Sequence, residues 1–324
     1  MVLDLALRSG APWPLLGLGT YRLTPAEIPA VGAPLTPARP PTPARPPAQA
    51  LTHALHPCPH ARTVEASLSA GYGLVDTAVS YKHSHHALAL ALRDRPRACG
   101  GLAWVQTKIP PAEQGYEKAR VCALRCVEEL RGCAEGISVL LHWPGGSRLP
   151  PDSPEHARLR LGSWLALQEL YAAGTLQCIG VSNFEVRHLR ELEAAVGVHT
   201  LPLVNQVELH PLLPQTELRA FCAERRIHVQ AYSSLGQGSA ALWGHPALRG
   251  AARALALDEA QVLLLWAMRQ GVSVIPRSRS ARRVADNAAG LADALGRADV
   301  WRELARLDAI GDGTHFCWNP EDIR

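Results

Sequence analysis

Beyond residue 60 two apolar patterns alternate along the chain. Short runs of near-continuous apolar residues occur at GLVDTAV (73–79), AWVQTKI (103–109), ISVLLHW (137–143), CIGVSNF (178–184), LVNQVEL (203–209), HVQAYSS (228–234) and VSVIPRS (272–278). Their length and β-branched content predict buried strands. Helix patterns lie between them. Val121, Leu124, Val127 and Leu130 recur every three residues, as do Val186, Leu189 and Leu192; Trp164, Leu167 and Tyr171 fall at i, i+3, i+7. Asp258 with Gln261 forms a capping-box start, Gly271 closes that helix, and Gly174 and Gly197 close two others. With the early run LLGLGT (15–20), eight β/α units emerge. Alternation of this kind predicts a parallel sheet, and eight units in this length favour an α/β fold of the closed (β/α)8 TIM-barrel type. The alternative is an open, doubly wound sheet. Against it, Gly17-Leu18-Gly19 runs into Thr20-Tyr21-Arg22 with no helix, so no dinucleotide fingerprint follows a strand.

One tract breaks the rhythm. Residues 24–60 carry 11 of the 26 prolines, with TPARPP at 36–41 repeated at 42–47. Lacking amide donors and apolar periodicity, this segment is expected to be an extended or disordered insertion in the first βα loop of a single domain spanning 1–324. The 324 residues are 47 % apolar, enough for a sizeable core. The longest apolar stretch, Val262 to Met268, is far short of a membrane span, so no membrane partner is expected. The N-terminus has Asp4 and no basic region ahead of a long apolar run, which argues against a secretory signal. A net charge of +4, scattered over the chain, gives no reason to expect nucleic acid. The eight cysteines form no C-x-x-C pair, and a cytoplasmic protein with reduced thiols is expected. Only Lys82, Lys108 and Lys118 are lysines among 33 basic residues, which makes each a candidate for a specific task.

In a (β/α)8 barrel, active-site residues gather at the C-terminal strand ends. Polar residues break the apolar runs there: Asp76, Lys108, His142, Ser182-Asn183, Gln206 and Tyr232, each group from a different strand. Any one of them could be a satisfied core polar group; together they point to a site. Asp76, Tyr81, Lys108 and His142 form a natural group. A cation beside a phenol favours the phenolate, and an ionised aspartate would keep that lysine charged, so Lys108 is expected to lower the pKa of Tyr81 toward neutrality for general acid–base work.

The segments GLGTYRL, GYGLVDTAVSY, VQTK, LLHWPG, GVSNF, NQVELHP, QAYSSLG and IPRSRSARRVADN, in this order, resemble the aldo-keto reductases over nearly the whole chain apart from 24–60. The resemblance implies NADPH-dependent reduction of aldehydes or ketones without metal or flavin. It also implies an N-terminal strand segment capping the barrel. It places a catalytic tetrad on Asp76, Tyr81, Lys108 and His142. It assigns Gly19, Thr20, Ser182, Asn183 and Gln206 to the cofactor, Tyr232 to stacking on its ring, and Ser233 and Leu235 to the pyrophosphate. Arg277, Ser278 and Arg283 would surround the 2′-phosphate, favouring NADPH over NADH, and Asp286 and Asn287 would read the adenine. Tyr21, Trp143 and Trp318 would line a partly open mouth suited to small carbonyls. A monomer is the family's habit.

The chain also departs from the family. Gly73-Leu74 stands where Arg-His or Arg-Leu is usual, His83-Ser84 where Asn-Glu is common, and Pro110 where an aromatic residue is frequent; the final HFCWNPEDI is short. Two histidine-rich stretches, His83, His85 and His86, and His53, His56, Cys58 and His60, have the composition of a zinc site. The first falls at a helix start and the second in the irregular tract, so no metal is expected. A second functional reading is an NADPH-binding barrel acting as a regulatory or scaffold subunit; the intact tetrad favours the enzyme, and the insertion keeps the other reading open.

Overall fold

The computed structural model describes residues 4–7, 9–21, 61–81, 84–92 and 104–324; the Pro-rich tract at 24–60 lies outside them. An antiparallel hairpin opens the chain, β1 (Asp4–Ala6) with β2 (Pro12–Pro14). The alternation then runs β3 (Gly17–Gly19), α1 (Ala61–Ser69), β4 (Leu74–Asp76), α2 (Ser84–Leu92), β5 (Trp104–Ile109) and α3 (Tyr116–Leu130). It continues through β6 (Gly136–Leu141), α4 (Glu155–Ala172), β7 (Cys178–Ser182), α5 (Val186–Ala194), β8 (Val204–Glu208), α6 (Thr216–Glu224) and β9 (His228–Tyr232). Helices α7 (Ala240–Trp243), α8 (Pro246–Leu255) and α9 (Glu259–Arg269) precede β10 (Ser273–Val274). After it come α10 (Ala281–Ala288), α11 (Leu291–Leu295) and α12 (Ala298–Leu304).

Strands β3 to β10 pair in chain order, all in parallel. A bridge between Leu16 and Val274 brings the last strand to the first, and the Gly19 N–H donates to the Pro276 carbonyl at 3.1 Å. The sheet therefore curls into the (β/α)8 barrel. Each of the eight apolar runs read from the sequence coincides with one barrel strand, β6 starting one residue ahead of its run.

Strand periodicity of two separates the two faces of the barrel wall. Val75, Val105, Val139, Leu141, Ile179, Val181, Val207 and Val229 face outward into the core shared with the helices. Leu74, Trp104, Leu140, Cys178, Val204 and Ile275 fill the barrel interior with Leu7 and Trp13. Both faces are buried, which is why the strands read as near-continuous apolar runs. The hairpin closes the N-terminal mouth: Trp13 is fully buried, its ring centroid is 5.1 Å from that of Trp104, and the Trp104 indole donates to the Pro12 carbonyl at 2.9 Å. The departure at Gly73 has a steric reason, because a Cβ there would lie 2.5 Å from the Pro14 ring of this plug.

The helix caps follow the sequence. Asp258 and Gln261 form a reciprocal capping box, and Gly174, Gly197 and Gly271 have φ of +73°, +87° and +72°. One helix face differs from the spacing pattern. In α3 the buried residues are Ala119, Cys122, Ala123, Cys126 and Leu130, whereas Val121 and Leu124 are exposed. Small residues let α3 approach the barrel closely, and the bulkier stripe is left outside. Among the described residues no helix is long and apolar enough to cross a membrane.

Candidate active site

Asp76 ends β4 and Lys108 lies near the end of β5, both almost fully buried. All three Lys108 ammonium hydrogens have acceptors: Asp76 Oδ1 and Oδ2, each at 2.7 Å, and the Thr77 carbonyl at 2.8 Å. Pairing of this quality offsets the cost of removing two charges from water. Burial lowers the pKa of Lys108, and the Asp76 carboxylate pulls in the opposite direction.

Tyr81 sits on the loop after β4, its N–H bonded to the Ala78 carbonyl at 3.0 Å. Lys108 Nζ lies 5.3 Å from the centre of its ring, the Tyr21 ring 5.1 Å and the His142 ring 5.9 Å edge-on. The expected drop in the phenol's pKa does not occur. Burial, reinforced by the charges of Asp76, Tyr21 and Cys317, raises Tyr81 well above an ordinary tyrosine. The physical reason is that Asp76 balances the ammonium at contact distance, so what reaches Tyr81 is the field of a pair. Tyr81 is therefore held as a protonated phenol, a proton donor. His142 is driven down to about 3 by burial and by Lys108, which makes it a neutral imidazole.

The loop carrying His142 is fixed by side chains from other elements. Asn183 Nδ2 donates to the His142 carbonyl at 3.0 Å, Gln114 Nε2 to that of Trp143 at 2.6 Å, and Arg160 Nη1 to that of Pro144 at 2.6 Å.

The residues assigned to a cofactor form two groups. Around the rim, Ser182 Oγ donates to the Gln206 carbonyl at 2.8 Å, and the Tyr232 hydroxyl donates to Asn183 Oδ1 at 2.7 Å. Asn183 and Ser233 take positive φ of 63° and 50°, and Leu235 leads into a turn over Gly236–Gly238. Thr20 is bound through its N–H and hydroxyl to the Asp76 carbonyl, at 3.0 and 2.9 Å, beside Gly19. The second group surrounds the N-terminus of α10. Arg277 and Arg283 are exposed, Ser278 Oγ accepts from the Ser280 N–H at 3.1 Å, and Ser280 caps the helix. Asp286 is exposed and lies 3.5 Å from Arg282, while Asn287 is buried.

At the mouth, Tyr21 is 42 % exposed, Trp143 half-buried and Trp318 77 % exposed. The C-terminal segment crosses the rim beside them. Glu208, at the end of β8, accepts the Phe316 and Cys317 N–H groups at 2.8 and 3.1 Å. Burial pushes the Glu208 carboxyl up, but these bonds and His210 outweigh it and leave it below its ordinary value. Cys317 Sγ reaches Ser233 Oγ at 3.3 Å and Gln237 Nε2 at 2.7 Å, and His188 Nε2 meets the Ile323 carbonyl at 2.8 Å.

Glu208 and Cys317 were not singled out in the sequence, nor were Gln106 and Gln230 inside the barrel. The signal for the glutamines was present: Gln106 lies two residues before Lys108, and Gln230 two before Tyr232, so each shares the inward face of a strand with a site residue. His85, from the histidine-rich stretch, lies between the Glu129 carboxylate at 2.7 Å and Thr107 Oγ1 at 2.6 Å.

Comparison with known proteins gives one consistent result. The model of the Aldo/keto reductase family matches residues 53–308. An aldo-keto reductase of Mycolicibacterium vanbaalenii is 38 % identical over 262 residues, 80 % of this chain and 86 % of that protein. A glyoxal reductase of Bacillus subtilis is 31 % identical over 262 residues, 81 % of this chain and 87 % of that one. The crystal structure of an aldo/keto reductase from Brucella melitensis superposes with a TM-score of 0.72 at 26 % identity, covering 95 % of this chain and all of the other.

Proposed function

From the premise that the chain belongs to the aldo/keto reductase family, we propose that it reduces aldehydes or ketones to alcohols with NADPH, using Tyr81 as the acid. The observation that carries this reading is the meeting of the Tyr81 ring with the Asp76–Lys108 pair, Nζ 5.3 Å from its centre, and with the His142 ring at 5.9 Å. Bound NADPH supplies the hydride.

The chain's own residues do the rest. The Tyr81 hydroxyl gives its proton to the carbonyl oxygen, beside an Asp76–Lys108 pair whose ammonium stands 5.3 Å from the centre of its ring. A neutral His142 donates a hydrogen bond to the same oxygen without competing for the proton. Exclusion of water at this buried rim strengthens each of these interactions.

The donor set suits the cofactor. Arg277, Ser278 and Arg283 at the N-terminus of α10 match a phosphate monoester, which a guanidinium fork and helix amides both favour. Gly19, Thr20, Ser182, Asn183 and Gln206 would hold the nicotinamide, Tyr232 its face, Ser233 and Leu235 the pyrophosphate, and Asp286 and Asn287 the adenine. Tyr21, Trp143 and Trp318 leave an open mouth for small carbonyls, the class to which the glyoxal of the Bacillus relative's name belongs. The same reading takes the protein as a cytoplasmic monomer.

Initial rates of NADPH oxidation with a panel of aldehydes test this. Turnover in the wild type, abolished in Tyr81→Phe with NADPH binding retained, is the expected result; tight NADPH binding without turnover above background overturns it. Arg277→Glu should weaken NADPH roughly 10- to 100-fold and NADH much less, since a charged hydrogen bond to phosphate is worth about 1.5–3 kcal/mol. Equal losses for both would remove Arg277 from the 2′-phosphate.

A further inference from the structure

Beneath Lys108 the barrel holds a closed polar fork. Gln106 Nε2 donates to Asp76 Oδ1 at 2.8 Å and to Gln230 Oε1 at 2.5 Å. Gln206 Nε2 donates to the same two oxygens, each at 2.8 Å. All three glutamines are at most 2 % exposed. The strand register brings them together, with Asp76 opposite Gln106 and Gln206 opposite Gln230. The Gln106 and Gln206 amide nitrogens have two hydrogens each, and each of these meets one of the two shared acceptors, while Gln106 Oε1 accepts from Ser138 Oγ at 3.4 Å.

Its orientation follows from charge. An ionised carboxylate only accepts, so the groups facing Asp76 Oδ1 must be the NH2 ends of Gln106 and Gln206. Gln230 must then present its oxygen, because two donors face it. The Gln206 carbonyl oxygen is left as that side chain's one remaining polar atom, and no hydrogen bond found among the described residues uses it.

We propose that Gln106 and Gln230 are positioning residues: with Gln206 they fix the Asp76 carboxylate beneath Lys108 and turn the Gln206 carbonyl oxygen, and not its NH2, toward the cofactor side of the site. The proposal rests on the reading of this rim as a reductase site. Gln106 shares Asp76 Oδ1 with the ammonium, so the positive end of its amide dipole opposes the lysine's charge. Gln230 is the second acceptor of both amides, so each NH2 group is held by two bonds and not by Asp76 alone. The device needs three glutamines on three strands. An apolar residue at position 230 would leave the Gln206 amide held by Asp76 alone, free to swing about that one bond and carry its carbonyl oxygen off line.

Two measurements test the two arms. With three lysines in the chain, selective lysine labelling gives three NMR signals, and Lys108 can be titrated without any turnover. In Gln106→Met, a swap of similar volume whose only freed donor is the Ser138 hydroxyl, bonded to Gln106 Oε1 at a long 3.4 Å, the Lys108 midpoint should rise by about one pH unit, because the opposing dipole end is gone. An unchanged midpoint in the folded variant overturns the Asp76 arm. For the Gln206 arm, NADPH affinity is compared in Gln230→Met and Gln230→Glu. The first removes the shared acceptor and should weaken binding roughly tenfold, about 1.4 kcal/mol; the second keeps an acceptor for both amides and should bind nearly as the wild type does. Equal losses, or no loss in either, overturn this arm. If Gln230→Met does not fold, Gln106→Met decides by the lysine titration alone. A displaced Lys108 midpoint in a protein that turns over no carbonyl would overturn the proposed function and support the fork, so the two failures are distinguishable.

Discussion

Every polar atom around the Asp76 carboxylate is a donor. Oδ1 accepts from Lys108, Gln106 and Gln206, and Oδ2 from Lys108. Asp76→Asn keeps the shape but aims an NH2 group at these donors and strips a buried ammonium of its countercharge. The loss of one partner of a buried pair costs about 3–5 kcal/mol, so a urea titration should show a large drop in stability together with loss of activity. A midpoint close to wild type would mean that Lys108 is not held as the structure has it. The same contacts explain Tyr81. The four residue types were legible in the sequence, but the sign of the phenol's shift was not, because it depends on Lys108 being balanced by Asp76 at 2.7 Å and on burial of the ring.

At the scale of the element, the barrel's first βα unit is tied to its neighbours by bonds among the described residues. β3 is held by Gly19 to Pro276 and by Thr20 to Asp76, and the Tyr72 hydroxyl after α1 donates to the Val284 carbonyl of α10 at 2.9 Å. None of these bonds uses residues 26–58, and loop-closure entropy grows slowly with length. Deletion of 26–58 should give soluble protein with a nearly unchanged melting temperature and NADPH affinity and a modest shift in carbonyl KM. Insoluble protein, or a collapse of NADPH binding, would show that the tract packs into the fold. α3 shows the limit of pattern reading. Its position was set by periodicity, but the buried face is made of Ala119, Cys122, Ala123 and Cys126. Close approach to the barrel selects small residues, which a count of large apolar positions passes over.

For the whole molecule, one consequence of a core buried on both faces of the sheet is acid sensitivity. Burial drives His228 to about 4, and His142 and His188, each also near cations, to about 3; His85 is lowered as well. These folded pKa values lie below the unfolded value near 6.5. The stability they contribute is therefore complete above about pH 6.5 and is lost as pH falls toward the folded values. By pH 5 each of the three deepest costs about 2 kcal/mol. Unfolding midpoints in urea should fall steeply between pH 7 and 5, and equal midpoints would show that these histidines titrate normally.

The sequence by itself determined the barrel, the order of its strands, the caps and the set of residues at the rim. Those features rest on local periodicity and on a wall buried on both sides, and both are written into short windows of chain. Tertiary structure alone decided the rest. The glutamine fork joins residues 24 to 130 apart along the chain, and the clamp on the carbonyls of His142, Trp143 and Pro144 draws on three other segments. The C-terminal segment reaches Glu208 from more than 100 residues away. Such contacts depend on strand register and on closure of the ring, where Leu16 meets Val274. No window of sequence contains both partners, so the protonation of Tyr81, the direction of the Gln206 amide and the shape of the mouth appear only once the barrel has closed.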